Sequence, residues 1–586
     1  MNVVIVGGGI SGVSAAKVLL KSGHRATILE QTDTPGGLMA KIANCRVGFK
    51  TFFAEILNAP GLEVITGSRI VDVDKLYEKS LITLEDGRLI EADAVIIAAG
   101  LSPYEPKERT GRRILASLDY DRLIDQKNDP LPEDLRSVAF ILCVGSRCLE
   151  YPLCSAMCCS YTLREIKWTF QRGISPHITV FYNDLRFFGQ EFYMEKLYRE
   201  MGVSFIRANS RYLEEDADGV TMRYFNGGRF SEERFNYVVL AAGLRPSPTL
   251  ADLSLLFGFS LNERGFVRES EPLRTDANGI YASGGSLEPM SIKDAILTGY
   301  GAAIRCMKEL DDGKHVPAIT VYKETAPELE VDRKAASCLF YLGTEDPLLK
   351  MFYEFFSEQF ILKALELRKK GKDVLFITRN LVMPSYSELL YEQARRAGVV
   401  FIHLEEDERI DLHENEAVIT GPKGETVFSA ERVVTLEHYA GKMRQREFLM
   451  QYRSEPQLRW SPTKWNRERY HAGFIRFPRA DRWEEREALG ALGEYLIEKD
   501  EERILPDVDE ERCSGCGSCS NACPAGAMEI EPREKQVSVF GPLGSTVAPV
   551  ATVKKELCMG CGLCASTCPS DVIGFKEASV LECDLA

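Results

Sequence analysis

The N-terminal part of the chain alternates short apolar runs with a stretch of helical spacing. Residues 3–6 form a β-branched run of the kind found in buried parallel strands, and residues 13–20 continue with apolar positions at helical intervals. Apolar runs at 26–29 and 94–98 predict two more strands. Strands that alternate with helices favour an α/β fold with a parallel sheet.

A further set of strands is predicted in the middle of the chain, and part of it occurs twice. The stretch 178–206 aligns without gaps to 374–402. Upstream of each stretch an apolar run ends near a glycine, and we take Gly145 and Gly343 as matching positions. Residues 336–440 are therefore predicted to be a degenerate second copy of the middle domain.

Composition adds the expectation of several domains. The 586 residues are too many for one hydrophobic core, and the net charge of −15 argues against nucleic acid as a partner. No apolar run reaches the roughly 18 residues that span a bilayer, so we expect no direct membrane insertion. The chain passes straight into a glycine motif and has no secretory signal pattern. We expect a cytoplasmic protein whose 17 cysteines are kept reduced.

The glycine motif after the first strand predicts a dinucleotide site. Gly7 permits a tight turn, Gly9 lets the backbone approach a pyrophosphate, and Gly12 lets the helix pack closely on the strand. The first turn of the helix then presents free N–H groups to the phosphates. Glu30 closes the second strand, where a carboxylate binds a ribose diol. The residues predicted to bind the cofactor here are Gly7, Gly9, Ile10, Ser11, Gly12 and Glu30.

Three further segments resemble FAD-dependent enzymes with two dinucleotide-binding domains, of the thioredoxin reductase type. Segment 35–38 is similar to the loop of that family that runs beside the cofactor, and the strand at 94–98 closes at Gly100. Segment 279–285 is similar to the final FAD motif, although Gly285 stands where the family usually has an aspartate. The resemblance implies FAD, with contacts from Gly36, Gly37, Leu38, Gly100 and Gly284.

Cysteines stand where the second domain of such an enzyme would bind a nicotinamide nucleotide. After the strand at 138–142 the chain has one glycine, Gly145, so its backbone is not expected to approach a pyrophosphate. Four thiols lie at the end of that strand and the start of a predicted helix. Soft thiolates suit an iron–sulfur cluster, but the spacing leaves a zinc site, a redox disulfide and buried thiols open. The four are Cys143, Cys154, Cys158 and Cys159, with Cys148 as a spare or substitute ligand.

Two runs near the C-terminus have the ligand pattern of bacterial ferredoxins. Each has three cysteines separated by two residues, then a fourth cysteine after three more residues, followed by proline. In this pattern the fourth cysteine binds the cluster of the other run, and two full runs with both prolines disfavour zinc. We expect one [4Fe–4S] cluster on Cys513, Cys516, Cys519 and Cys568, and another on Cys558, Cys561, Cys564 and Cys523.

The middle motifs resemble the HdrA family, the iron–sulfur flavoproteins of heterodisulfide reductase. Segment 143–147, the pair at 158–159 and the segment 184–186 carry the likeness. In that family the four corresponding cysteines hold a [4Fe–4S] cluster near the flavin, which implies three clusters in this chain. Segment 291–296 is similar to the family's Pro-Lys-Asp-Ile stretch. The resemblance implies that Lys293 lies by the reactive edge of the flavin and tunes it, while a surface lysine is the alternative.

The resemblance also implies a function. The chain is expected to be an electron-transfer component of an anaerobic heterodisulfide reductase-like complex, with other iron–sulfur subunits as partners and a ferredoxin or a hydrogenase- or formate-type electron donor. The family's distinctive reaction is flavin-based electron bifurcation, in which one two-electron donor feeds a high- and a low-potential acceptor. Two alternatives stay open: an NAD(P)H-dependent reductase like the glutamate synthase small subunit, and a scaffold that only relays electrons.

The sequence thus predicts an α/β flavoprotein with two dinucleotide-binding domains, a degenerate second α/β copy and a C-terminal ferredoxin domain that holds two [4Fe–4S] clusters. The expected segments are 1–130 and 246–310 for the FAD-binding domain, 131–245 for the inserted domain with the cysteines, 336–440 for the second copy, 441–500 for a linker, and 505–575 for the ferredoxin domain.

Overall fold

The structure is a computed structural model of the 586-residue chain. It describes residues 1–42, 56, 59–76, 79–125, 131–172, 176–187, 191–208, 211–226, 228–310, 314, 316, 321–324, 329, 331, 334–344, 349–350, 353–436, 470–473, 481–498, 506–522, 527–537, 544–554, 563–566, 568, 570 and 572–575.

The FAD-type domain is built on a seven-stranded sheet. Five adjacent strands, from Ile280–Ala282 to the edge strand Leu62–Ile65, are parallel. The glycine motif follows the middle one of the five parallel strands, at the point where the strand order reverses, which is where such sheets bind ligands. The strands in spatial order are Glu269–Glu271, Arg274–Thr275, Ile280–Ala282, Ala94–Ile97, Asn2–Val6, Arg25–Leu29 and Leu62–Ile65. The other elements are the helices Ile10–Lys21, Thr249–Phe257 and Ile292–Leu310, the 3-10 turns Met39–Lys41 and Gly284–Ser286, and the antiparallel strands Ile70–Leu76, Lys79–Leu84 and Leu89–Ala92.

The inserted domain has a parallel five-stranded sheet and an antiparallel three-stranded sheet. A short strand pair, Leu101–Pro103 with Leu244–Pro246, links it to the first domain. Because Ile114–Ala116 belongs to the parallel sheet, this domain begins before residue 131. The parallel strands in spatial order are Ser204–Arg207, His177–Tyr182, Ser137–Val144, Tyr237–Ala242 and Ile114–Ala116; the helices are Ser117–Asp125, Cys158–Gln171 and Glu191–Glu200; the antiparallel strands are Arg211–Glu215, Val220–Asn226 and Arg229–Phe235.

Residues 337–435 repeat this arrangement. They have the same order of strands and helices as the inserted domain from residue 137 onward, which we call the first copy, and the same spatial strand order. The parallel strands in spatial order are Val400–His403, Asp373–Thr378, Ser337–Leu342 and Arg432–Thr435; the helices are Tyr353–Lys369 and Ser387–Arg396; the antiparallel strands are Arg409–Leu412, Glu416–Gly421 and Gly424–Ser429.

Strand pairing corrects the register between the two copies. Val138 lies opposite Ile178, and Cys338 lies opposite Val374, the residue that matches Ile178. Val138 therefore matches Cys338, and Cys143 matches Gly343. The register taken from the two glycines is wrong by two residues in this strand, because backbone hydrogen bonds fix strand partners and loop glycines do not.

The two copies pack against each other with reciprocal contacts. The Arg207 guanidinium donates to Asn380 Oδ1 at 3.3 Å, and His403 Nδ1 lies 3.4 Å from Asp184 Oδ1. His403 is the match of Arg207, and Asn380 is the match of Asp184. An interface in which the same two positions meet twice is the signature of a two-fold axis. The chain therefore contains an internal pseudo-dimer.

The stretch predicted as a linker contains a helix that packs on the FAD-type domain. Helix Asp481–Glu498 lies along helix Ile292–Leu310, and the two approach closely at glycines: a β-carbon on Gly490 would collide with Leu297, and one on Gly493 with Tyr300. Strand Tyr470–Gly473 pairs with Val321–Glu324.

The ferredoxin region follows. It has the paired strands Pro506–Val508 with Ile573–Phe575 and Met528–Val537 with Gly544–Val553, and the helices Ser518–Ala522 and Leu563–Ser566. Over the part of the chain that the structure describes, we find no helix with both the length and the apolar character needed to cross a bilayer.

Candidate functional site

The glycine motif forms an open cradle at the start of the first helix. Gly7 has φ of +116°, and a β-carbon there would collide with the Ala98 carbonyl. Gly9, the residue before the helix, has open space around its β-carbon position. Glu30 is buried, and its carboxylate accepts a hydrogen bond from the Gly8 N–H at 2.9 Å. The loop thus leaves room for a phosphate group above Gly9, with a carboxylate fixed beside it.

The other segments predicted to bind FAD meet this cradle. The Gly36 N–H donates to the Gly8 carbonyl at 2.9 Å, which joins the 35–38 loop, with Gly37 and Leu38, to the motif. A β-carbon on Gly284 would collide with Ser11, and one on Gly285 with Leu101, next to Gly100. The collision at 285 explains why glycine stands where the resemblance leads one to expect aspartate.

Lys293 lies in the first turn of helix Ile292–Leu310 and is half-buried. Ser291 caps this helix: its hydroxyl accepts from the Asp294 N–H at 3.2 Å. Further along the same helix, Thr298 accepts a hydrogen bond from the Gly284 N–H at 3.0 Å. The helix that carries Lys293 is therefore bonded directly to the final FAD-type motif.

The four cysteines predicted in the inserted domain lie together in its interior. Cys143 is the penultimate residue of the strand Ser137–Val144, while Cys158 and Cys159 begin the helix Cys158–Gln171, which we call the cysteine helix. All four side chains, including Cys154, are buried. Cys148 is exposed on a turn next to Tyr151, outside this group.

Backbone strain is concentrated at this group. Among the described residues, five that are not glycine have positive φ, and four of them lie here or in the segment packed against it. A positive φ is costly for a residue with a β-carbon and persists where the surroundings impose it, most often at functional sites. The four are Cys143, Arg147, Ala156 and Ser385.

The pKa values of three of these thiols are raised, which argues against a reactive nucleophile. A hydrogen bond with Cys158, together with burial, raises the pKa of Cys143 well above its ordinary value. Burial raises the pKa of Cys154 as well. The bond to Cys143 lowers the pKa of Cys158, but the bond to Cys159 and burial outweigh it. Thiol nucleophiles need a lowered pKa, so these residues fit a redox disulfide poorly.

The surroundings of the thiols suit a negatively charged metal group. The Ala156 N–H points to Cys154 Sγ at 3.4 Å, and the Arg186 N–H to Cys159 Sγ at 3.5 Å. The guanidinium groups of Arg147 and Arg186 act on Cys143 in the direction that favours the thiolate. Four buried thiols with N–H donors and cations are the donor set of an iron–sulfur cluster. No group of three or more ligand residues fits a single metal ion among the residues that the structure describes.

Aromatic and arginine side chains fill the place of a nicotinamide loop. A β-carbon on Gly145 would collide with the ring of Tyr104. The Arg245 guanidinium donates to the Gly145 carbonyl at 2.5 Å and lies 3.8 Å from the centre of the Tyr151 ring. The loop that would hold a pyrophosphate is thus covered by the protein itself.

A segment of the second copy, residues 383–388, packs against the cysteines; sequence reasoning missed it. Ser385 forms a backbone bridge with Cys154. Glu388 pairs with Arg147 at 3.0 Å and also contacts Arg186. These contacts join positions more than 200 residues apart, and no local pattern marks them in the sequence.

The ferredoxin region places the four cysteines predicted for the first cluster around one small pocket. The Gly515 and Ala551 N–H groups both point to Cys513 Sγ at 3.4 Å. The lining cysteines are Cys513, Cys516, Cys519 and Cys568. Of the set predicted for the second cluster, Cys564 is described, while Cys523, Cys558 and Cys561 lie outside the described residues.

One contact joins the ferredoxin region to the cysteine helix. The Lys167 ammonium donates to the Ala565 carbonyl at 3.3 Å, beside Cys564. Lys167 lies nine residues after Cys158, which corresponds to about 14 Å along a helix. The ferredoxin region therefore lies against the same helix whose first turn supplies two of the buried thiols.

Comparison with known families identifies both ends of the chain. Residues 1–115 match the family of pyridine nucleotide-disulphide oxidoreductases, and residues 512–572 match the 4Fe-4S dicluster domain. The fold predicted for these regions is confirmed. The families imply FAD at the first domain and [4Fe–4S] clusters at the last.

Curated relatives confirm the resemblance to the HdrA family. The HdrA protein of the H2:CoB-CoM heterodisulfide,ferredoxin reductase of Methanothermobacter thermautotrophicus is 31% identical over 242 residues, 37% of each chain. An iron–sulfur HdrA protein of the CoB–CoM heterodisulfide reductase of Methanopyrus kandleri is 23% identical over 53% of this chain and 64% of its own. The matches thus span between about a third and two thirds of these relatives.

Among solved structures, the thioredoxin reductase of T. acidophilum is 20% identical, with a TM-score of 0.41, over 53% of this chain and 97% of its own.

Proposed function

We propose that this chain is the electron-transfer flavoprotein of a heterodisulfide reductase-like complex, an oxidoreductase with one FAD and three [4Fe–4S] clusters. FAD exchanges electron pairs or single electrons, and the clusters exchange single electrons. The observation that carries the proposal is the group of four buried thiols with strained backbone, in the domain where a nicotinamide nucleotide would otherwise bind.

Different residues of the chain would bind the FAD and the third cluster. Gly7, Gly9 and Gly12 give FAD a pyrophosphate cradle, and Glu30 offers a carboxylate to its ribose. Cys143, Cys154, Cys158 and Cys159 would hold the third cluster in a dry site. Lys293 remains our candidate for tuning the flavin, because its helix is bonded to the Gly284 motif.

The contact between Lys167 and Ala565 supports an order for the electron carriers. It favours a route in which the cysteine site lies between the FAD and the ferredoxin domain. The other order, with the flavin between the cysteine site and the ferredoxin clusters, would suit bifurcation but is disfavoured by this contact.

The test is anaerobic isolation of the full chain, with analysis of flavin, iron and acid-labile sulfide, followed by reduction. We expect one FAD and about twelve irons, since each cluster has four. NADH should leave the flavin oxidised, while a low-potential one-electron reductant should bleach it. A content of about eight irons would contradict the third cluster.

The NAD(P)H-dependent reductase is the alternative that this titration excludes or supports. Its nucleotide would need the space above Gly145, which Tyr104 and Arg245 cover. Rapid bleaching of the flavin by NADH would favour it over the relay.

Partners and bifurcation belong to the same proposal. We expect other iron–sulfur subunits in the cytoplasm, with a ferredoxin or a hydrogenase- or formate-type donor. If the assembled complex sends both electrons of its donor to the high-potential acceptor alone, bifurcation is contradicted and a simple relay remains.

A further inference from the structure

We propose that the second copy is an electrostatic part of the cysteine site: Glu388 balances the charge around the four thiols and so sets the reduction potential of the group that they hold. Glu388 is a positioning residue, since it acts through Arg147 and Arg186. This inference rests on the proposed function, because it requires a redox group on the four cysteines.

Four charged side chains form one buried cluster beside the thiols. The Arg147 guanidinium lies 2.6 Å from Asp184 and 3.0 Å from Glu388. Arg186 contacts Glu388 and lies 3.9 Å from Asp184. None of the four side chains is more than 8% exposed. Charges this deeply buried interact strongly, because little water screens them.

The charge count depends on the second copy. Arg147 and Arg186 come from the first copy, which supplies one carboxylate, Asp184, to this cluster. Glu388 supplies the second carboxylate, so two cations face two anions. Replacing Glu388 by a neutral residue would leave one uncompensated positive charge next to the cysteine site.

The segment that carries Glu388 is held from both sides. On one side Ser385 bridges Cys154 through the backbone. On the other side the Ser385 hydroxyl donates to Glu288, which follows the final FAD-type motif, and Tyr386 accepts from Asn262 at 2.8 Å. The 383–388 segment thus lies between the FAD-type domain and the cysteines, with Glu388 fixed in position.

The sign of the effect follows from Coulomb's law. An added electron makes the group on the cysteines more negative, so a nearby carboxylate opposes reduction and a nearby cation favours it. Loss of the Glu388 charge should therefore raise the reduction potential. A tenfold change in the equilibrium constant of a one-electron couple corresponds to 59 mV.

The experiment is an electron paramagnetic resonance redox titration of the full-length protein. The signal of the cysteine site is assigned first, as the signal that the Cys158→Ser/Cys159→Ser variant lacks. We expect Glu388→Gln to raise the reduction potential of the cysteine site by at least 59 mV, which is a tenfold change in the equilibrium constant of a one-electron couple. Glu388→Asp keeps the charge and should shift it by less than half as much. Glu392→Gln, on the same helix but paired with Arg396 near the surface, should leave it unchanged.

A charge-balanced variant guards against a fold defect. Arg186→Gln/Glu388→Gln removes one cation and one anion, so its potential should return toward that of the wild type. An unchanged potential in Glu388→Gln, with full iron content, overturns this inference and leaves the proposed function intact. If Glu388→Gln loses its iron, an unshifted potential in the balanced variant supports the inference, and an equal loss of iron there contradicts it. If the cysteine variant keeps every signal and all its iron, the proposed third cluster itself fails.

Discussion

Cys159 in the first copy and Ser357 in the second occupy the same place in the fold and receive the same backbone hydrogen bond. The Arg186 N–H points to Cys159 Sγ at 3.5 Å, and the Val382 N–H donates to Ser357 Oγ at 3.1 Å. Arg186 and Val382 are matching positions of the gapless alignment. One oxygen therefore replaces one sulfur with the supporting backbone intact.

The interiors of the two copies differ more widely. In the second copy Phe340 stacks on Phe376 at 6.0 Å, and Phe360 packs against both rings. Gly343 stands at the position of Cys143. The second copy thus keeps the same scaffold with a core of aromatic and aliphatic side chains, and it has no thiol at the positions of Cys143 and Cys159.

Substitution of two cysteines in the first copy should have the largest effect, which is a loss of bound iron that substitution in the second copy does not cause. In Cys158→Ser/Cys159→Ser we expect about four of about twelve irons to be lost, because hydroxyls are poor ligands for the cluster. The measurement is iron and acid-labile sulfide per chain after anaerobic isolation. Cys338→Ser in the second copy is the control and should keep the full content; a loss there as well would point to a general fold defect.

Substitution of alanine for Gly145 in the first copy should lower the free energy of unfolding more than the same substitution for Gly343 in the second. Gly145 has φ of +72°, and a β-carbon would collide with the Tyr104 ring. We expect Gly145→Ala to lower the free energy of unfolding by about 2–4 kcal/mol. At Gly343 the collision is with the Tyr341 hydroxyl, the end of a side chain that can move, so about 1 kcal/mol or less is expected. Urea unfolding measures both, and equal losses would contradict the account.

Glu165 on the cysteine helix should give the first copy a pH dependence that the matching position of the second copy, which has no carboxyl group, does not give. Burial, and then Asp121, raise the pKa of Glu165 well above its usual value. A carboxyl group with a raised folded pKa keeps its proton in the native state while the unfolded chain releases it. Stability is therefore full below pH of about 4.5 and falls as pH rises, by up to about 1.4 kcal/mol per unit.

Glu165→Gln removes this titration. We expect its free energy of unfolding to change less between pH 5 and 7 than that of the wild type, as measured by urea unfolding at each pH. Lys363 holds the matching place in the second copy, and Lys363→Met is the control. Parallel pH profiles for Glu165→Gln and the wild type would refute the assignment.

The Ser357 hydroxyl in the second copy should make a modest contribution to stability. Ser357→Ala leaves the Val382 N–H without its acceptor, at a cost of about 1–2 kcal/mol in the free energy of unfolding. Ser357→Cys, which copies the first domain, keeps an acceptor and should cost less. Thermal unfolding ranks the two variants; a larger loss with cysteine would mean that the site has no room for sulfur.

Local patterns predicted the parts of the molecule that local forces decide. The strand, glycine loop and helix from Asn2 to Lys21 follow from residue type and spacing, and so does the grouping of Cys513, Cys516 and Cys519. The second copy was predicted because duplication leaves a repeated pattern. Its register failed by two residues, since strand pairing depends on hydrogen bonds that a glycine in a loop does not reveal.

Contacts between distant segments were beyond the sequence. Arg486 lies in the stretch predicted as a linker, yet its guanidinium pairs with Glu288 at 2.6 Å in the interior. Glu388 reaches the cysteine site in a similar way. In a sequence a charged residue is predicted to lie at the surface, because charged residues are rarely buried without a partner. The partners here lie some 200 residues away in the chain.

The two-fold packing of the copies has a consequence for how the cysteine site could diverge. A homodimer presents every substitution twice, once at each end of its axis. Here the two copies are joined in one chain, so each stays at a high effective concentration around the other. Either copy can therefore be substituted at the interface without the two separating. Asp184 now faces His403 while Asn380 faces Arg207, and Glu388 has Phe192 as its match. Broken symmetry thus lets one face specialise as a source of counter-charge for the cysteine site.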